Sequence, residues 1–313
     1  MSEWIIRILE KPEELYAVED MQRLVWPGSE TEVVPVHLLL TAAHNGGLVI
    51  GAYDPSRLVD GKPMMIGFVF GFPGFYMTPD GPRLKHCSHM LGVHPEYRDR
   101  GVGFLLKRAQ WQMVRQQQID RVTWTYDPLQ SRNAYFNIVK LGAVCSTYLR
   151  EVYGTLRDGI NIGLPTDRFE VDWWVNTQRV QLRLSKEVRR RLDLAHYFDA
   201  GAEILNPTRR GEDGLPYPPA ELSEEVLQTL RPAGEKKESQ KGQSSKALIL
   251  VEIPSDFMTL KSVNPNLAIE WRMHTRAIFE DLFARGYLVT DFVYLSGTYP
   301  RSFYILSDGE STL

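Results

Sequence analysis

The stretch "MLGVHPEYRDRGVGFLLKRAQ", residues 90–110, contains the pattern that decides the fold. An apolar run ends at Val93, a His-Pro corner follows, and Arg98-x-x-Gly101-x-Gly103 stands directly before an amphipathic helix. Two glycines at a helix start let backbone N–H groups approach an anion, where the helix dipole favours negative charge. The alternative is a tight strand-to-helix turn that binds nothing, and for an isolated Gly-x-Gly this alternative is favoured.

The sequence of this turn matches neither of two other phosphate-binding motifs. A dinucleotide-binding turn needs a third glycine three residues after the second, and Leu106 occupies that position. A P-loop needs Gly-Lys-Ser/Thr at its end, which is absent here.

Hydrophobic periodicity and breaker residues predict alternating strands and helices around the turn. The predicted strands cover residues 5–9, 47–54, 64–74, 84–93, 121–127 and 169–175, and the predicted helices cover 12–26, 36–43, 103–118 and 131–141. Residues 55–63 are predicted to form a loop between two strands of a hairpin. No internal repeat is evident in the sequence.

A second motif, "NAYFNIVKLGA", follows downstream, with Ala134, Leu141 and Gly142 at characteristic spacing. Together with the glycine turn, it makes residues 1–174 resemble the GNAT superfamily of acyl-CoA-dependent N-acyltransferases, and more narrowly a branch with long C-terminal extensions. The resemblance implies an α/β fold in which a mixed central sheet is flanked by helices, here followed by a smaller α/β extension. It also implies that the turn wraps the pyrophosphate of coenzyme A.

The resemblance assigns roles to residues before, in and after the turn. Backbone N–H groups at Leu91, Gly92 and Val93 would hold the acyl carbonyl. The cofactor contacts that it implies are Leu91, Gly92, Val93, Arg98, Asp99, Arg100, Gly101, Val102, Gly103, Phe104, Ser131 and Asn133. Ser131 occupies the place of the family's usual cofactor-contacting asparagine, and Asn133 is close by in the sequence.

His89 is the candidate general base. Strand alternation places Cys87, His89, Leu91 and Val93 on one face, and His86, Ser88 and Met90 on the other. His89 matches in spacing a strand histidine that the arylalkylamine branch of the superfamily uses for proton transfer, and histidine titrates near neutrality. The alternative is a hydrogen-bonded core histidine.

The usual thiolate acid of the family is missing, because Ile138 stands where many relatives have a tyrosine. Substitutes in the sequence are Tyr126, Tyr135, Tyr148 and Tyr153. For the acceptor, we expect Tyr153, Asn161 and Arg168 to contact the substrate, with Arg168 able to pair with a carboxylate. The alternative is that Asp167 and Arg168 end a loop.

Composition predicts four segments. Residues 1–176 form the GNAT acyltransferase domain, 177–232 a connecting region, 233–246 a flexible linker without large apolar residues, and 247–313 the C-terminal α/β extension. The extension contains a helix that is capped by Asn264 and starts at Pro265. Its apolar face must pack on the extension or on the GNAT domain.

The length, composition and net charge of the chain exclude several classes of protein. A chain of 313 residues with 43% hydrophobic residues and a net charge of -3 is typical of a globular protein without nucleic acid as its main partner. Two cysteines without metal-ligand spacing predict a reducing compartment, and no apolar stretch reaches transmembrane length. A cytoplasmic protein without metal and without membrane attachment is expected, and a homodimer is compatible with the sequence.

Together, these features predict an N-acetyltransferase that moves an acetyl group from acetyl-CoA to the primary amine of a small molecule. Another acyl-CoA could serve as the co-substrate. Two alternatives remain open. One is transfer of a succinyl or other acyl group to an amino acid. The other is a non-catalytic acyl-CoA sensor, which the missing tyrosine suggests.

Overall fold

A computed structural model describes residues 4–28, 30–154, 164–185, 192–232 and 248–308 of the chain. Two compact units are present: unit 1 consists of Met1–Trp124 with Trp174–Asn176, and unit 2 of Thr125–Trp173 with Thr177–Leu313. The predicted linker, 233–246, and the predicted substrate contact Asn161 lie outside the described residues.

Unit 1 is built on a mixed sheet with strand order β1-β2-β3-β4-β5. Neighbouring strands are antiparallel except for the parallel pair of β4 and β5. The elements are β1 (Ile5–Ile8), α1 (Pro12–Val25), α2 (Val36–His44), β2 (Leu48–Val59), β3 (Lys62–Thr78), β4 (Gly81–Val93), α3 (Val102–Gln116) and β5 (Arg121–Tyr126), whose last two residues belong to unit 2.

The hairpin of β2 and β3 is longer than the sequence predicts. The predicted loop over 55–63 is wrong, because the strands continue to Val59 and restart at Lys62. Asp60 and Gly61 both have positive φ, 49° and 73°, as the two central residues of a tight hairpin turn require.

Helices α1 and α2 cover one face of this sheet. Leu15 and Val18 of α1 and Leu39 of α2 are fully buried against Phe68 and Phe70 of β3. The helical spacing of the apolar residues in α1 thus produces the buried stripe that the sequence predicts.

Unit 2 contains a sheet with strand order β7-β6-β12-β13-β11-β8. Its helix α4 (Ser131–Ala134) continues as a π-helical turn, Tyr135–Lys140. The other elements are β6 (Val144–Leu149), β7 (Arg168–Trp174), α5 (Gln178–Leu184), α6 (Leu194–Asp199), β8 (Glu203–Ile204), β9 (Arg209–Arg210), β10 (Pro216–Tyr217), α7 (Glu224–Thr229), β11 (Leu248–Ile253), α8 (Phe257–Val263), α9 (Pro265–Ala284), β12 (Tyr287–Leu295) and β13 (Arg301–Asp308).

Two similar hairpins meet in the sheet of unit 2. The pairs β6–β7 and β12–β13 are antiparallel, and β6 joins β12 antiparallel at Cys145 and Val289. Each first strand changes register directly after this pair, before Thr147 and before Asp291. A strand and helical segments precede each hairpin, so the C-terminal part repeats an order of elements that the sequence does not reveal.

Helix α9 packs its apolar face inside unit 2. The Phe279 ring lies 4.7 Å from the Phe169 ring of β7 and 5.4 Å from the Tyr304 ring of β13. Trp271 is fully buried. The predicted fold, a mixed sheet flanked by helices with additional C-terminal elements, is confirmed.

We expect Phe279→Ala to lower the free energy of unfolding by about 3–5 kcal/mol, because it removes a ring at the centre of this aromatic cluster. Denaturant titration followed by circular dichroism measures the change. Met273→Ala on the same helix is the control, since Met273 is 46% exposed and should change stability little. Equal effects of the two substitutions would contradict the packing described here.

Candidate active site

A bulge in β4 interrupts the strand at His89. Phe70 of β3 pairs with Met90, but the next residue, Gly71, pairs with Ser88, so His89 is an extra residue in β4. The bulge moves Met90 to the face that α1 and α2 cover, while Ser88 bonds to α3 on the other face. The predicted shared face of Ser88 and Met90 is therefore wrong, because one inserted residue reverses the alternation beyond it.

The His89 imidazole lies beside two aromatic side chains of β3. Its ring centroid is 5.9 Å from that of Phe70 and 5.9 Å from that of Phe72. The residue is exposed on its outer side. Partial desolvation by the surrounding side chains lowers the pKa of His89 below its ordinary value, which favours the neutral imidazole.

Gly92 lies in the part of β4 predicted to hold the acyl group. A Cβ atom at this position would lie 2.7 Å from the Phe68 ring, so only glycine fits there without a shift of the ring. Gly92 is buried, whereas Leu91 and Val93 are partly exposed. The packing of Phe68 thus gives a structural reason for the glycine at position 92.

The turn after β4 leads into α3 through two residues with positive φ. Asp99 has φ 63°, and Gly101, at the N-cap of α3, has φ 89°. The first α-helical hydrogen bond of α3 runs from Leu105 N to Gly101 O. The N–H groups of Val102 and Gly103 therefore lie in the first turn, where an α-helix has no intrahelical acceptors for them.

Tyr97 anchors the turn on β2. This buried side chain donates a hydrogen bond to Asp54 Oδ2 at 2.7 Å, and Ser56 Oγ donates to Asp54 Oδ1 at 2.6 Å. These bonds, first that of Ser56 and then that of Tyr97, lower the pKa of Asp54. Arg57 pairs with Glu96 of the turn at 2.6 Å. The sequence analysis missed this anchor, for which the only signal is an aspartate at the end of a buried strand.

The parallel pairing of β4 with β5 is short. It consists of His86 with Val122 and Cys87 with Thr123. Beyond Cys87, β4 continues to Val93 along β3 only, within the part of unit 1 that the structure describes. Backbone N–H groups of β4 that point away from β3 therefore have no ladder partner in β5 along residues 88–93.

His86 is fully buried on the face covered by α3. Its Nε2 lies 3.1 Å from Nε2 of Gln110, which assigns the amide as donor and the imidazole as acceptor. His86 Nδ1 has no hydrogen-bond partner. Burial, and secondly the nearby Lys107, lower the pKa of His86 to about 3.

The predicted contacts in unit 2 have mixed surroundings. Ser131 is buried and its Oγ lies 2.8 Å from that of Ser302, whereas Asn133 is exposed. Tyr153 is 57% exposed, and the Arg168 guanidinium lies 5.0 Å from its ring centroid. Arg168 also donates to the backbone oxygen of Asp167 at 2.8 Å. The structure thus places Tyr153 beside Arg168 on the surface of unit 2.

Two arginines of α9 were missed by the sequence analysis. Arg276 forms a bidentate ion pair with the buried Asp167, at 2.7 and 2.8 Å, and Arg272 pairs with Asp127 at 2.7 Å. Burial raises the pKa of Asp167, whereas hydrogen bonds from Arg276 and Tyr148 lower it. The net effect is a lowered pKa. The signal in the sequence is their spacing of four residues along the buried stripe of α9.

Within the described ranges, no group of three or more His, Cys, Asp or Glu side chains is placed to bind a metal ion. None of the described helices has both the length and the apolar composition needed to cross a bilayer.

No protein-family model and no curated protein matches the chain. Solved structures do. The chain is similar to Arabidopsis thaliana NAA60 in complex with acetyl-CoA, with 19% identity, a TM-score of 0.43 and coverage of 55% of this chain and 99% of that one. It is similar to Chaetomium thermophilum Naa20 in complex with a bisubstrate analogue, with 15% identity, a TM-score of 0.43 and coverage of 59% and 92%.

The ribosomal-protein-S18-alanine N-acetyltransferase from Escherichia coli is similar at 13% identity and a TM-score of 0.42, over 60% of this chain and all of that one. Within the chain itself, a bulged β4 is followed by a glycine turn and α3, and β4 pairs with β5 only over a short stretch.

His86 should make stability depend on pH. Its pKa is about 3 in the folded state and about 6.5 when unfolded, so the unfolded state binds more protons below pH 6.5. The contribution of His86 to the free energy of unfolding is complete above pH 6.5. It falls with decreasing pH, by up to about 1.4 kcal/mol per pH unit.

We expect His86→Leu to flatten this dependence, measured by denaturant titration between about pH 6 and pH 4. The exposed His44 provides a control, because His44→Gln should keep the wild-type slope. A His86→Leu slope equal to that of wild type would show that other groups cause the dependence.

Proposed function

We propose that this protein is an acyl-CoA-dependent N-acyltransferase that transfers an acetyl group from acetyl-CoA to a primary amine. The observation that carries the proposal is the left-handed Gly101 at the N-cap of α3, in the turn that follows β4, whose pairing with β5 ends at Cys87. First-turn N–H groups at a helix start suit a pyrophosphate. The extended backbone of β4 suits the pantetheine arm.

His89 is the proposed general base. The acceptor amine is an ammonium ion at neutral pH and must lose a proton before its nitrogen can attack the thioester carbonyl. The lowered pKa of His89 keeps its imidazole neutral and able to accept that proton. The proton moves to the imidazole nitrogen, and the amine attacks the carbonyl carbon.

The oxyanion that forms needs hydrogen-bond donors. Within Leu91, Gly92 and Val93, the backbone N–H groups that point away from β3 are proposed for this role, because this part of β4 has no β5 partner. The attack itself forms the C–N bond. When the oxyanion collapses, the C=O bond re-forms, the C–S bond breaks and the thiolate leaves, while the nitrogen loses its remaining extra proton to solvent.

The leaving thiolate needs a proton donor in place of the family's tyrosine. Ile138 is fully buried and cannot donate. Of the candidate tyrosines, Tyr126 OH lies 3.2 Å from Tyr304 OH and Tyr148 donates to Asp167, so both are engaged inside unit 2. Tyr135 is partly buried and Tyr153 is 57% exposed, so these two stay as candidate acids.

The acceptor is proposed to be a small primary amine. Arg168, beside Tyr153, supports an amino acid as the alternative, since a guanidinium can bind a carboxylate. Some of the similar structures are named for protein or peptide substrates, so an N-terminal amine of a peptide is a further acceptor to test. Without turnover of any acceptor, the sensor alternative would apply.

Acetyl-CoA should be cleaved in the presence of amines, and Gly103→Val should slow this cleavage at subsaturating acetyl-CoA by weakening coenzyme A binding. A branched side chain in the first turn of α3 would obstruct N–H groups whose bonds to a charged ligand contribute about 1.5–3 kcal/mol, or about tenfold to a hundredfold in affinity. Thiol release with panels of amines, amino acids and peptides measures turnover, and calorimetry measures the affinity.

The matched control is Gln112→Val, which adds a branched side chain at an exposed position of the same helix. Unchanged coenzyme A affinity in folded Gly103→Val protein would refute the site. Coenzyme A binding without turnover of any acceptor would refute the proposed enzymatic activity.

His89→Gln should lower kcat/KM by about a hundredfold or more at neutral pH, because glutamine cannot accept the proton. In wild type, the acidic limb of kcat/KM should lie at lower pH than an ordinary histidine would give, since desolvation lowers the pKa of His89. Coenzyme A affinity should not change. A His89→Gln enzyme with the wild-type rate and pH profile would rule out His89 as the base.

A further inference from the structure

A buried polar cluster lies between α3 and β4 in unit 1. Its members are Lys107 and Gln110 of α3 and His86 and Ser88 of β4, each at most 7% exposed. Lys107 Nζ donates to Ser88 Oγ at 3.0 Å and to Gln110 Oε1 at 2.9 Å. Such a cluster is unusual beneath a sheet, because burying a lysine is unfavourable unless its amine is bonded.

The cluster lies where β4 and β5 separate. The last pair between these strands is Cys87 with Thr123. Ser88 and Trp124 are the next residues of the two strands. Lys107 Nζ bonds to Ser88 and lies 3.7 Å from the centroid of the Trp124 ring, a cation–π geometry. One side chain therefore contacts both strands at the first position beyond their pairing.

These contacts replace the ladder hydrogen bonds that would continue a parallel pair. The amine binds one strand through a hydroxyl group and the other through an aromatic face, and Gln110 bonds to both Lys107 and Ser88. Because each member of the cluster is bonded to another, the positions of Ser88 and Trp124 are linked to helix α3. The next residue after Ser88 is the bulge residue His89.

We propose that Lys107 is a positioning residue for the thioester: it fixes the start of the opening between β4 and β5, and through Ser88 it sets the β4 backbone that receives the acyl group. This proposal rests on the proposed acyltransferase function and adds a determinant of acyl-group placement. Lys107 acts through Ser88 and Trp124 and touches no substrate itself. Its predicted consequence is that the width of the opening, and with it the preference among short acyl chains, depends on Lys107.

The test is Lys107→Met, which keeps the length of the side chain and removes its donors. Relative to wild type, we expect coenzyme A affinity within about twofold, because the glycine turn is intact, and kcat lower by about tenfold or more, because small misplacements of reacting groups slow reactions by such factors. The ratio of kcat/KM for acetyl-CoA to that for propionyl-CoA should also change by several-fold.

The acyl-chain ratio distinguishes positioning from support of the fold, since mere destabilisation reduces turnover of both donors alike. Gln112→Met, at an exposed site on the same helix, should leave kcat and the ratio unchanged. Ser88→Ala should change the acyl-chain ratio in the same direction as Lys107→Met. If Lys107→Met does not fold, the ratio of Ser88→Ala tests the positioning role.

The results distinguish failure of the proposed function from failure of the positioning role. Wild-type protein that cleaves neither donor with any acceptor overturns the proposed function and this role with it. Active wild-type protein, together with folded Lys107→Met and Ser88→Ala variants that keep its kcat and donor ratio, overturns the positioning role alone.

Discussion

The bulge at His89 is the constraint on which the arrangement of unit 1 depends. With one extra residue in β4, Ser88 bonds to α3 on one face while Met90 packs with α1 and α2 on the other. Without it, strict alternation would place both on the same face, and either the polar cluster or the apolar core would lose a member. A bulge also bends the strand and increases its twist. This bend coincides with the end of the β4–β5 pairing.

The sequence predicts what is encoded locally. The glycine turn, the second motif and the cap of α9 by Asn264 depend on residues close together in the chain, and the structure has a helix start at each predicted place. The bulge could not be predicted, because a period of two describes β4 equally well until a partner strand fixes the register. The Asp54–Tyr97 bond joins residues 43 apart, and a lone aspartate gives no indication of its partner.

The C-terminal part of the chain contributes to unit 2 by repetition. Its strand, helices and hairpin follow the same order as β5, α4 and the β6–β7 hairpin. The two hairpins join through the Cys145–Val289 pair, and both first strands change register just after it. The edge of β6 is thereby covered by a strand of the same chain, which removes an exposed edge that could pair with other molecules. No sequence similarity marks the repeat, because hairpin geometry depends on register and turn conformation more than on residue identity.

Charge gives a second reason why the C-terminal elements are integral to unit 2. Asp167 is fully buried and Asp127 is largely so, and their ion-pair partners, Arg276 and Arg272, come from α9. A buried ion pair adds little net stability, but loss of one partner leaves an uncompensated charge at a penalty of about 3–5 kcal/mol. Two such penalties would amount to much of a domain's total stability. Asp167, which also accepts a hydrogen bond from the Glu151 N–H group, therefore depends on Arg276 of α9 for its place in the interior of unit 2.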